Sequence, residues 1–193
     1  MTITTLPLGM LETNCYILAQ GDRCLVIDPG DEAEKVLTFL KQQELTLEAI
    51  LLTHGHFDHV GAVKDLAAET DCKVFLCEKD LSLPRTMTAG SLFYTDFYGE
   101  GDRLTLAGMT FDVLHTPGHT PGSVCLRFGE HLFSGDTLFA GSCGRTDFPG
   151  SSPADMVRSL GRLAQLEDSL KVYPGHGAAT TTIGEEKRYN PYL

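Results

Sequence analysis

A cluster of potential metal ligands at the end of a buried strand constrains this chain more than any other feature. The continuous apolar run Ala49–Thr53 is typical of a strand buried on both faces, and His-Gly-His-Phe-Asp-His follows it directly. Residues two apart in an extended segment face the same way, so His54 and His56 can bind one ion. Asp58 and His59, at the turn into the next helix, can point toward a second ion. The sequence therefore predicts a metal site at this strand end.

The ligand chemistry of this run suits several divalent metals. Imidazole and carboxylate groups bind zinc, and they also bind iron or manganese. In the alternative interpretation Asp58 only caps the next helix and the histidines are incidental. We favour the metal site, because histidines without a partner rarely cluster at the end of a buried strand.

Three more candidate ligands each follow an apolar, strand-like segment. His119 lies in Thr-Pro-Gly-His-Thr-Pro-Gly, Asp136 in Phe-Ser-Gly-Asp, and His176 in Tyr-Pro-Gly-His-Gly. Together with the first four residues they supply seven donors, enough for two ions if one carboxylate bridges, and the glycines let the backbone approach the ions closely. Of the two remaining histidines, we expect His115 to be structural and His131 to face solvent.

The alternation of strand-like and helix-like segments predicts the fold class. The predicted helices are Ala33–Gln43, Val60–Glu69 and Pro153–Leu166, and the predicted strands are Thr13–Ala19, Cys24–Ile27, Ala49–Thr53, Lys73–Leu76, Leu104–Leu106, Met109–Leu114, Ser123–Phe128, His131–Ser134 and Leu170–Tyr173. Two β-rich stretches interrupted by helices indicate an α/β fold in which two sheets pack together with helices outside. No linker or low-complexity segment divides the chain, so we expect residues 1–193 to form a single domain.

Composition limits the partners and the compartment. The formal net charge of −11 argues against nucleic acid, whose binding needs a basic surface. No segment approaches the ~20 apolar residues that span a bilayer, so no membrane contact is expected. The N-terminus lacks a basic region followed by an apolar run, which favours a cytoplasmic protein. The oligomeric state is left open.

Free thiols are the expected state of the six cysteines. None of them forms a Cys-x-x-Cys pair, and most lie in apolar, β-rich segments, where a free cysteine behaves as a small hydrophobic residue. They are Cys15, Cys24, Cys72, Cys77, Cys125 and Cys143.

A group of aromatic residues interrupts the irregular segment 78–101. Phe93, Tyr94, Phe97 and Tyr98 can form a wall or lid over the site or can pack locally. We favour local packing, which is more common for aromatic residues in irregular segments.

In order and spacing, the ligand motifs resemble those of the metallo-β-lactamase superfamily, and the resemblance runs over the whole chain. It implies a four-layer αββα sandwich of two mixed β-sheets with helices on the outer faces. It also implies that one ion is held by His54, His56 and His119 and the other by Asp58, His59 and His176, with Asp136 bridging. Asp28 matches the family's aspartate before the first helix, which orients ligand imidazoles. The alternative for Asp28 is a turn carboxylate before Pro29-Gly30.

Within that superfamily the chain looks like the short bacterial glyoxalase II-like hydrolases. Three segments carry this likeness, namely 53–61, 141–147 and 182–191. Asp136 stands where typical two-zinc β-lactamases have cysteine, which points away from antibiotic hydrolysis. The implied reaction is cleavage of a small, glutathione-linked thioester, S-D-lactoylglutathione, to D-lactate and glutathione. Two divalent ions, with zinc favoured, would generate the attacking hydroxide, and Asp58 would orient it.

The sequence departs from the glyoxalase II pattern at the substrate end. Only 17 residues follow His176, so the C-terminal helical domain that grips glutathione is not expected. Arg145 stands where the family has a basic glutathione contact, whereas Asp147 and Phe148 stand where a tyrosine contact is expected. Arg145 therefore either binds a substrate carboxylate or pairs with Asp147 to hold its own loop.

Two other activities fit the same motifs. Persulfide dioxygenases share the fold and a stretch similar to 143–148, but they use a single iron held by two histidines and one aspartate. Around residues 54–61 the chain looks more like the hydrolases. Lactone hydrolysis uses the same two-metal site and differs only in pocket shape.

Overall fold

The structure, a computed structural model, describes residues 1–88, 90–177 and 180–193. The strands in these residues are β1 Thr2–Leu8, β2 Thr13–Gln20, β3 Arg23–Ile27, β4 Thr46–Leu51, β5 Lys73–Leu76, β6 Asp96–Phe97, β7 Arg103–Leu106, β8 Met109–His115, β9 Val124–Phe128, β10 His131–Gly135, β11 Leu138–Phe139, β12 Ser142–Cys143, β13 Lys171–Pro174 and β14 Thr181–Thr182. The helices are α1 Ala33–Gln42, α2 Phe57–Val60, α3 Val63–Thr70, α4 Pro153–Leu163 and α5 Ile183–Tyr189.

Two mixed six-stranded sheets form the centre of the molecule. The first has the order β1-β2-β3-β4-β5-β6, antiparallel from β1 to β3 and parallel from β3 to β6. The second has the order β14-β13-β10-β9-β8-β7 and is antiparallel except for the parallel pair β13 and β10. Parallel neighbours require crossover connections, and in the first sheet the segment between β3 and β4 contains α1.

Three apolar clusters define four layers. One lies between the sheets and includes Leu51, Phe111 and Phe133. A second joins the outer face of the first sheet to α1 and α3, and a third joins the outer face of the second sheet to α4 and α5. The second half of β4, residues 49–51, is buried on both faces, which explains its continuous apolar sequence. The expected αββα sandwich of two mixed sheets is confirmed.

The helix predicted over Val60–Glu69 is wrong in its first part. The chain forms α2, leaves the helix at Gly61 and Ala62, and begins α3 at Val63. The N–H of Ala62 donates to the carbonyl of Pro29 (3.0 Å) instead of continuing α2. A side chain at Gly61 would overlap the carbonyl of Gly30, so tertiary contact sets this break. The helix predicted to end at Leu166 ends at Leu163 in the structure.

Besides the two-residue strands β6, β11, β12 and β14, two longer elements were not predicted. β1 is an edge strand, and Pro7 within it is tolerated because only one side of the strand pairs. α5 begins at Thr182, whose hydroxyl accepts a hydrogen bond from the N–H of Glu185 (3.1 Å). The Thr-x-x-Glu spacing is the available signal for this helix start.

In the part of the chain that the structure describes, no helix combines the length and the apolar character needed to cross a membrane.

Candidate metal centre

All seven candidate ligands lie at one edge of the sandwich, because each follows the end of a strand. The chain after β4 brings His54 and His56, and α2 places Asp58 and His59 in its only turn. The loops after β8, β10 and β13 bring His119, Asp136 and His176. The register of β10 shifts between Phe133 and Gly135, directly before Asp136, and such irregularities re-aim side chains at strand ends.

The ligand atoms form three overlapping groups. Within each group the nitrogen or carboxylate oxygen atoms lie within 4.8 Å of one another. The groups are His54, His56 and His119; His54, His59 and Asp136; and Asp58, His59 and His176. The first and third are the two sets that the family resemblance implies.

Asp136 lies between these two sets. Its Oδ2 is 3.4 Å from His119 Nε2 and 3.6 Å from His176 Nε2, and its Oδ1 is 3.4 Å from His59 Nε2. One carboxylate thus faces nitrogen atoms of both sets, which is the geometry that a bridging ligand needs.

The buried atoms of the cluster fit a metal better than they fit one another. His54 Nε2, His56 Nε2 and Asp136 Oδ1 are buried and have no hydrogen-bond partner among the described residues. Such atoms are costly to bury unless something else binds them. Ring nitrogens also converge on one another, with 2.8 Å between His56 Nδ1 and His119 Nε2 and 3.2 Å between His59 Nε2 and His176 Nε2. The His/Asp cluster is therefore suited to a two-metal centre.

Contacts behind the cluster fix the orientation of three imidazoles. His59 Nδ1 bonds to Asp28 Oδ2 (3.0 Å) and His119 Nδ1 to the carbonyl of Arg145 (2.8 Å). His176 Nδ1 bonds to the carbonyl of Leu11 (3.2 Å). Each contact occupies Nδ1 and leaves Nε2 toward the cluster, which is how proteins orient metal-ligating histidines.

Asp28 is more than a turn carboxylate. It is buried and accepts hydrogen bonds from the N–H (2.8 Å) and hydroxyl (2.6 Å) of Thr53, directly before His54. Since it also bonds to His59, one carboxylate positions both ends of the His-Gly-His-Phe-Asp-His run. The position of Asp28 agrees with the orienting role that the resemblance implies.

Burial and mutual charge set the protonation of the cluster. Burial, with the neighbouring imidazoles, holds the pKa of His54 well below its usual value, and burial lowers the pKa of His56 to about 4. Burial opposes ionisation of Asp136, but a hydrogen bond from His59 and the charges of His59, His119 and His176 together outweigh burial and lower its pKa. His54, His56 and Asp136 thus favour the forms that bind metal, neutral imidazole and ionised carboxylate, whereas Asp136 and Asp28 raise the pKa of His59 against the effect of burial.

Asp80 is a positioning residue that the sequence did not reveal. This buried carboxylate, in a 3₁₀ turn at Glu78–Ser82, accepts hydrogen bonds from the N–H of Gly55 (2.7 Å), the hydroxyl of Thr120 (3.0 Å) and the N–H of Gly122 (2.6 Å). Burial raises its pKa to about 6 against the effect of these bonds. Asp80 therefore joins the loop of His54 and His56 to the loop of His119.

Asn14 holds the His176 loop in the same manner. Its side-chain amide donates to the carbonyls of Pro174 (3.0 Å) and Gly177 (3.1 Å), and its N–H donates to the carbonyl of Gly175 (2.8 Å). These bonds bracket His176 on both sides. The sequence offered no signal for this role.

Of the predictions for the two histidines outside the cluster, one is confirmed and the other is wrong. His115 is structural as expected, since its Nε2 bonds to the carbonyl of Pro121 (2.8 Å) and braces the His119 loop. The expectation that His131 faces solvent is wrong. Its side chain is only 13% exposed and bonds to the hydroxyl of Tyr173 (3.0 Å), because β10 packs beside β13.

A cavity of about 430 Å³ opens over the cluster. Besides candidate ligands it is lined by Leu11, Phe57, Met87, Phe139, Ser142, Cys143, Arg145 and Phe148. None of the aromatic group at Phe93–Tyr98 is among these described lining residues, and Tyr98 is buried with its hydroxyl on the carbonyl of Leu52. Tyr98 thus packs locally, whereas Phe93, Tyr94 and Phe97 are 38–42% exposed and do not line the cavity.

Arg145 lines the cavity while paired to Asp147. Two hydrogen bonds of 2.7 Å join the guanidinium to that carboxylate, and the guanidinium lies 4.0 Å from the centre of the Phe148 ring. The loop pairing that the sequence allowed is present. Substrate contact by Arg145 stays a prediction.

The thiols follow the prediction with one refinement. All six cysteines are free, and five of them are buried. Cys143 is half-buried on the cavity wall, and burial raises the pKa of its thiol.

A four-layer sandwich with this ligand set at its edge defines a class of proteins. The family model of the metallo-beta-lactamase superfamily matches residues 8–176, and the chain belongs to that superfamily. Its members are mostly hydrolases.

Similar proteins carry more specific names. Hydroxyacylglutathione hydrolase GloC of Haemophilus influenzae is 39% identical, with 100% of this chain and 98% of that protein covered. Among solved structures, the BLEG-1 B3 metallo-beta-lactamase is 36% identical with a TM-score of 0.93, covering 100% and 99% of the two chains. TTHA1623 in a di-iron-bound form is 43% identical with a TM-score of 0.88, covering 98% and 100%. ETHE1 from Myxococcus xanthus is 31% identical with a TM-score of 0.88, covering 99% and 84%.

Proposed function

We propose that this protein is a metal-dependent hydrolase that cleaves a small thioester, such as S-D-lactoylglutathione to D-lactate and glutathione. The observation that carries the proposal is the pair of ligand sets that share Asp136 under one open cavity. The likeness to hydroxyacylglutathione hydrolase GloC supports the thioester. Two divalent ions are the proposed cofactors, with zinc first and iron or manganese as alternatives.

The chain's own residues would hold the reacting groups in place. His54, His56 and His119 would bind one ion and Asp58, His59 and His176 the other, with Asp136 between them. Bound ions would lower the pKa of a coordinated water to about 7 and stabilise negative charge on the carbonyl oxygen. Asp58 lines the cavity and would orient the attacking water as a hydrogen-bond acceptor.

A thioester suits the groups that the cavity offers. Among the described residues lining it, every histidine is a candidate ligand, and no lysine is present to protonate a leaving group. A leaving thiolate has a conjugate-acid pKa of about 8.5, so it needs less protonation than an amine.

Turnover of S-D-lactoylglutathione by purified protein of measured metal content tests this proposal. We expect hydrolysis that a chelator abolishes and that added metal restores. A chromogenic β-lactam is the counter-assay, because the chain is also similar to BLEG-1. Cleavage of the β-lactam with no cleavage of any thioester would contradict the proposal.

A second candidate is an iron-dependent persulfide dioxygenase. The group His54, His59 and Asp136 supplies two imidazoles and one carboxylate, the set that single-iron oxygenases use. Oxygen uptake with glutathione persulfide, together with a single iron per chain, would favour this candidate over the hydrolase.

A further inference from the structure

The cavity over the candidate metal centre has mainly apolar walls. Leu11, Phe57, Met87, Phe139 and Phe148 line it, and Leu11 and Phe57 are 54% and 45% exposed. Exposed apolar side chains that share one opening mark a binding surface.

Two phenyl rings stand beside the two ligand sets. The Phe148 ring lies edge-on to His56 (5.7 Å between centroids) and His119 (6.2 Å). The Phe139 ring lies edge-on to His176 (6.3 Å). A substrate bound at the cluster would therefore contact an aromatic ring on either side.

The cavity offers little to a substrate with several carboxylates. Among its described lining residues Arg145 is the only lysine or arginine, and both bonds to Asp147 engage its guanidinium. The proposed ions would compensate the charges of Asp58 and Asp136, while the chain as a whole carries −11. Glutathione brings two carboxylates and one ammonium group, and the already paired Arg145 is the one lysine or arginine among the described lining residues that could face those carboxylates.

From these contacts we infer that the cavity recognises an apolar acyl group and does not grip the glutathione part of a thioester. The inference rests on the proposed thioester hydrolysis and specifies its substrate class. The selected substrates are thioesters with short, uncharged aliphatic acyl chains. Each buried methylene should raise kcat/KM about three- to fourfold until the cavity is filled.

Matched thioesters test this inference on metal-loaded protein. Acetyl, butyryl and hexanoyl thioesters of N-acetylcysteamine, whose thiol is uncharged, are compared with the same thioesters of glutathione. We expect kcat/KM to rise with chain length in both series and the glutathione series to show no advantage. The inference would be overturned if kcat/KM did not change with acyl chain length. It would also be overturned if kcat/KM were tenfold or more higher for the glutathione thioesters than for the N-acetylcysteamine thioesters.

Two variants locate the effect. Leu11→Ala removes an exposed apolar wall and should reduce the gain from butyryl to hexanoyl, whereas Met10→Ala, at a neighbouring residue that is 99% exposed, should not. Arg145→Ala should change kcat/KM equally for the thioesters of the two thiols, since the guanidinium is already paired with Asp147. A tenfold loss confined to the glutathione thioesters would show that Arg145 grips glutathione and would overturn the inference.

A binding measurement separates this inference from the proposed function. If no thioester is cleaved, the proposed function fails, but calorimetric titration of metal-loaded protein with acetate, hexanoate and S-methylglutathione, whose sulfur is blocked from binding metal as a thiolate, still tests recognition by the cavity. Tighter binding of hexanoate than of acetate and S-methylglutathione supports apolar recognition. Equal binding of acetate and hexanoate, or tightest binding of S-methylglutathione, contradicts it.

Discussion

The candidate ligands owe their positions to polar atoms behind them. Asp28 and Asn14 each bond within one ligand-bearing segment, whereas Asp80 joins two such segments. Asp28 bonds to Thr53 and to His59, and Asp80 bonds to the loops that carry His54 and His119. These bonds hold the ligand-bearing segments in place within the fold.

The ligand assignment predicts a sharp loss of activity. His54→Ala or Asp136→Ala should abolish hydrolysis, because each residue belongs to a group of metal ligands that has few other donor atoms to hold the ion. Most of the fold should remain, since the change is confined to the edge of the sandwich. Metal analysis, turnover and circular dichroism of each variant check this. Retained turnover in a variant with verified metal content would refute the assignment.

Asp80 gives a second prediction. Asp80→Asn places an amide N–H₂ against an N–H donor of Gly55 or Gly122, so one of the two loops loses its anchor. We expect metal affinity to fall by about tenfold, the lower end for residues that support ligands. Chelator competition measures the affinity.

Asp96→Asn is the matched control for Asp80. It changes the same functional group in the same irregular part of the chain, but Asp96 bonds only to Thr95 and Lys73 near the surface. Its metal affinity should equal that of the parent protein. Equal metal affinities of the two variants would show that Asp80 does not position the ligands.

At the scale of strands and loops, the ligand-bearing ends were predictable and the loop anchors were not. The buried strand before His54 has an unbroken apolar sequence, and the turns before His119 and His176 are rich in glycine and proline. Asp80 stands between Lys79 and Leu81 like an ordinary surface acid. Its partners lie 25 to 42 residues away, so only the tertiary structure reveals its burial.

The break between α2 and α3 has the same origin. Local spacing favours one helix over Val60–Glu69, and the contact of Gly61 with Gly30 overrides it. β1 was missed because it is an edge strand whose residues are mostly exposed or half-buried. Conversely, the predicted strands on either side of Gly108, and those on either side of Gly129, are present and pair as hairpins, since glycine turn signals are local.

The loop after β13 carries a prediction of its own. A side chain at Gly175 would overlap Asp136 Oδ1 and crowd the ring of His59, so Gly175→Ala should lower metal affinity at least tenfold. Gly161→Ala, in α4 with open space around it, should instead raise stability by about 0.5–1 kcal/mol. Chelator competition measures the metal affinity of each variant, and urea unfolding measures its stability. Unchanged metal affinity in Gly175→Ala would mean that the loop is not tightly fitted to the cluster.

For the whole molecule, metal binding and stability should be linked. The buried cluster joins loops from both sheets, so ions that bind only the folded chain stabilise the entire sandwich. Two ions, each at a hundred times its Kd, should together add about 5.4 kcal/mol, about 2.7 kcal/mol for each ion, and raise Tm by roughly 10–20 °C over chelated protein. Scanning calorimetry in both states checks this. An equal Tm in both states would contradict binding at the buried cluster.

The number of ions required for activity tests the central claim most directly. Apo-protein is titrated with metal while hydrolysis of its best thioester is followed. The account predicts that activity reaches its maximum at two ions per chain, because the two ligand sets share Asp136. Full activity at one ion per chain, or activity that needs no metal, would contradict a two-metal hydrolase.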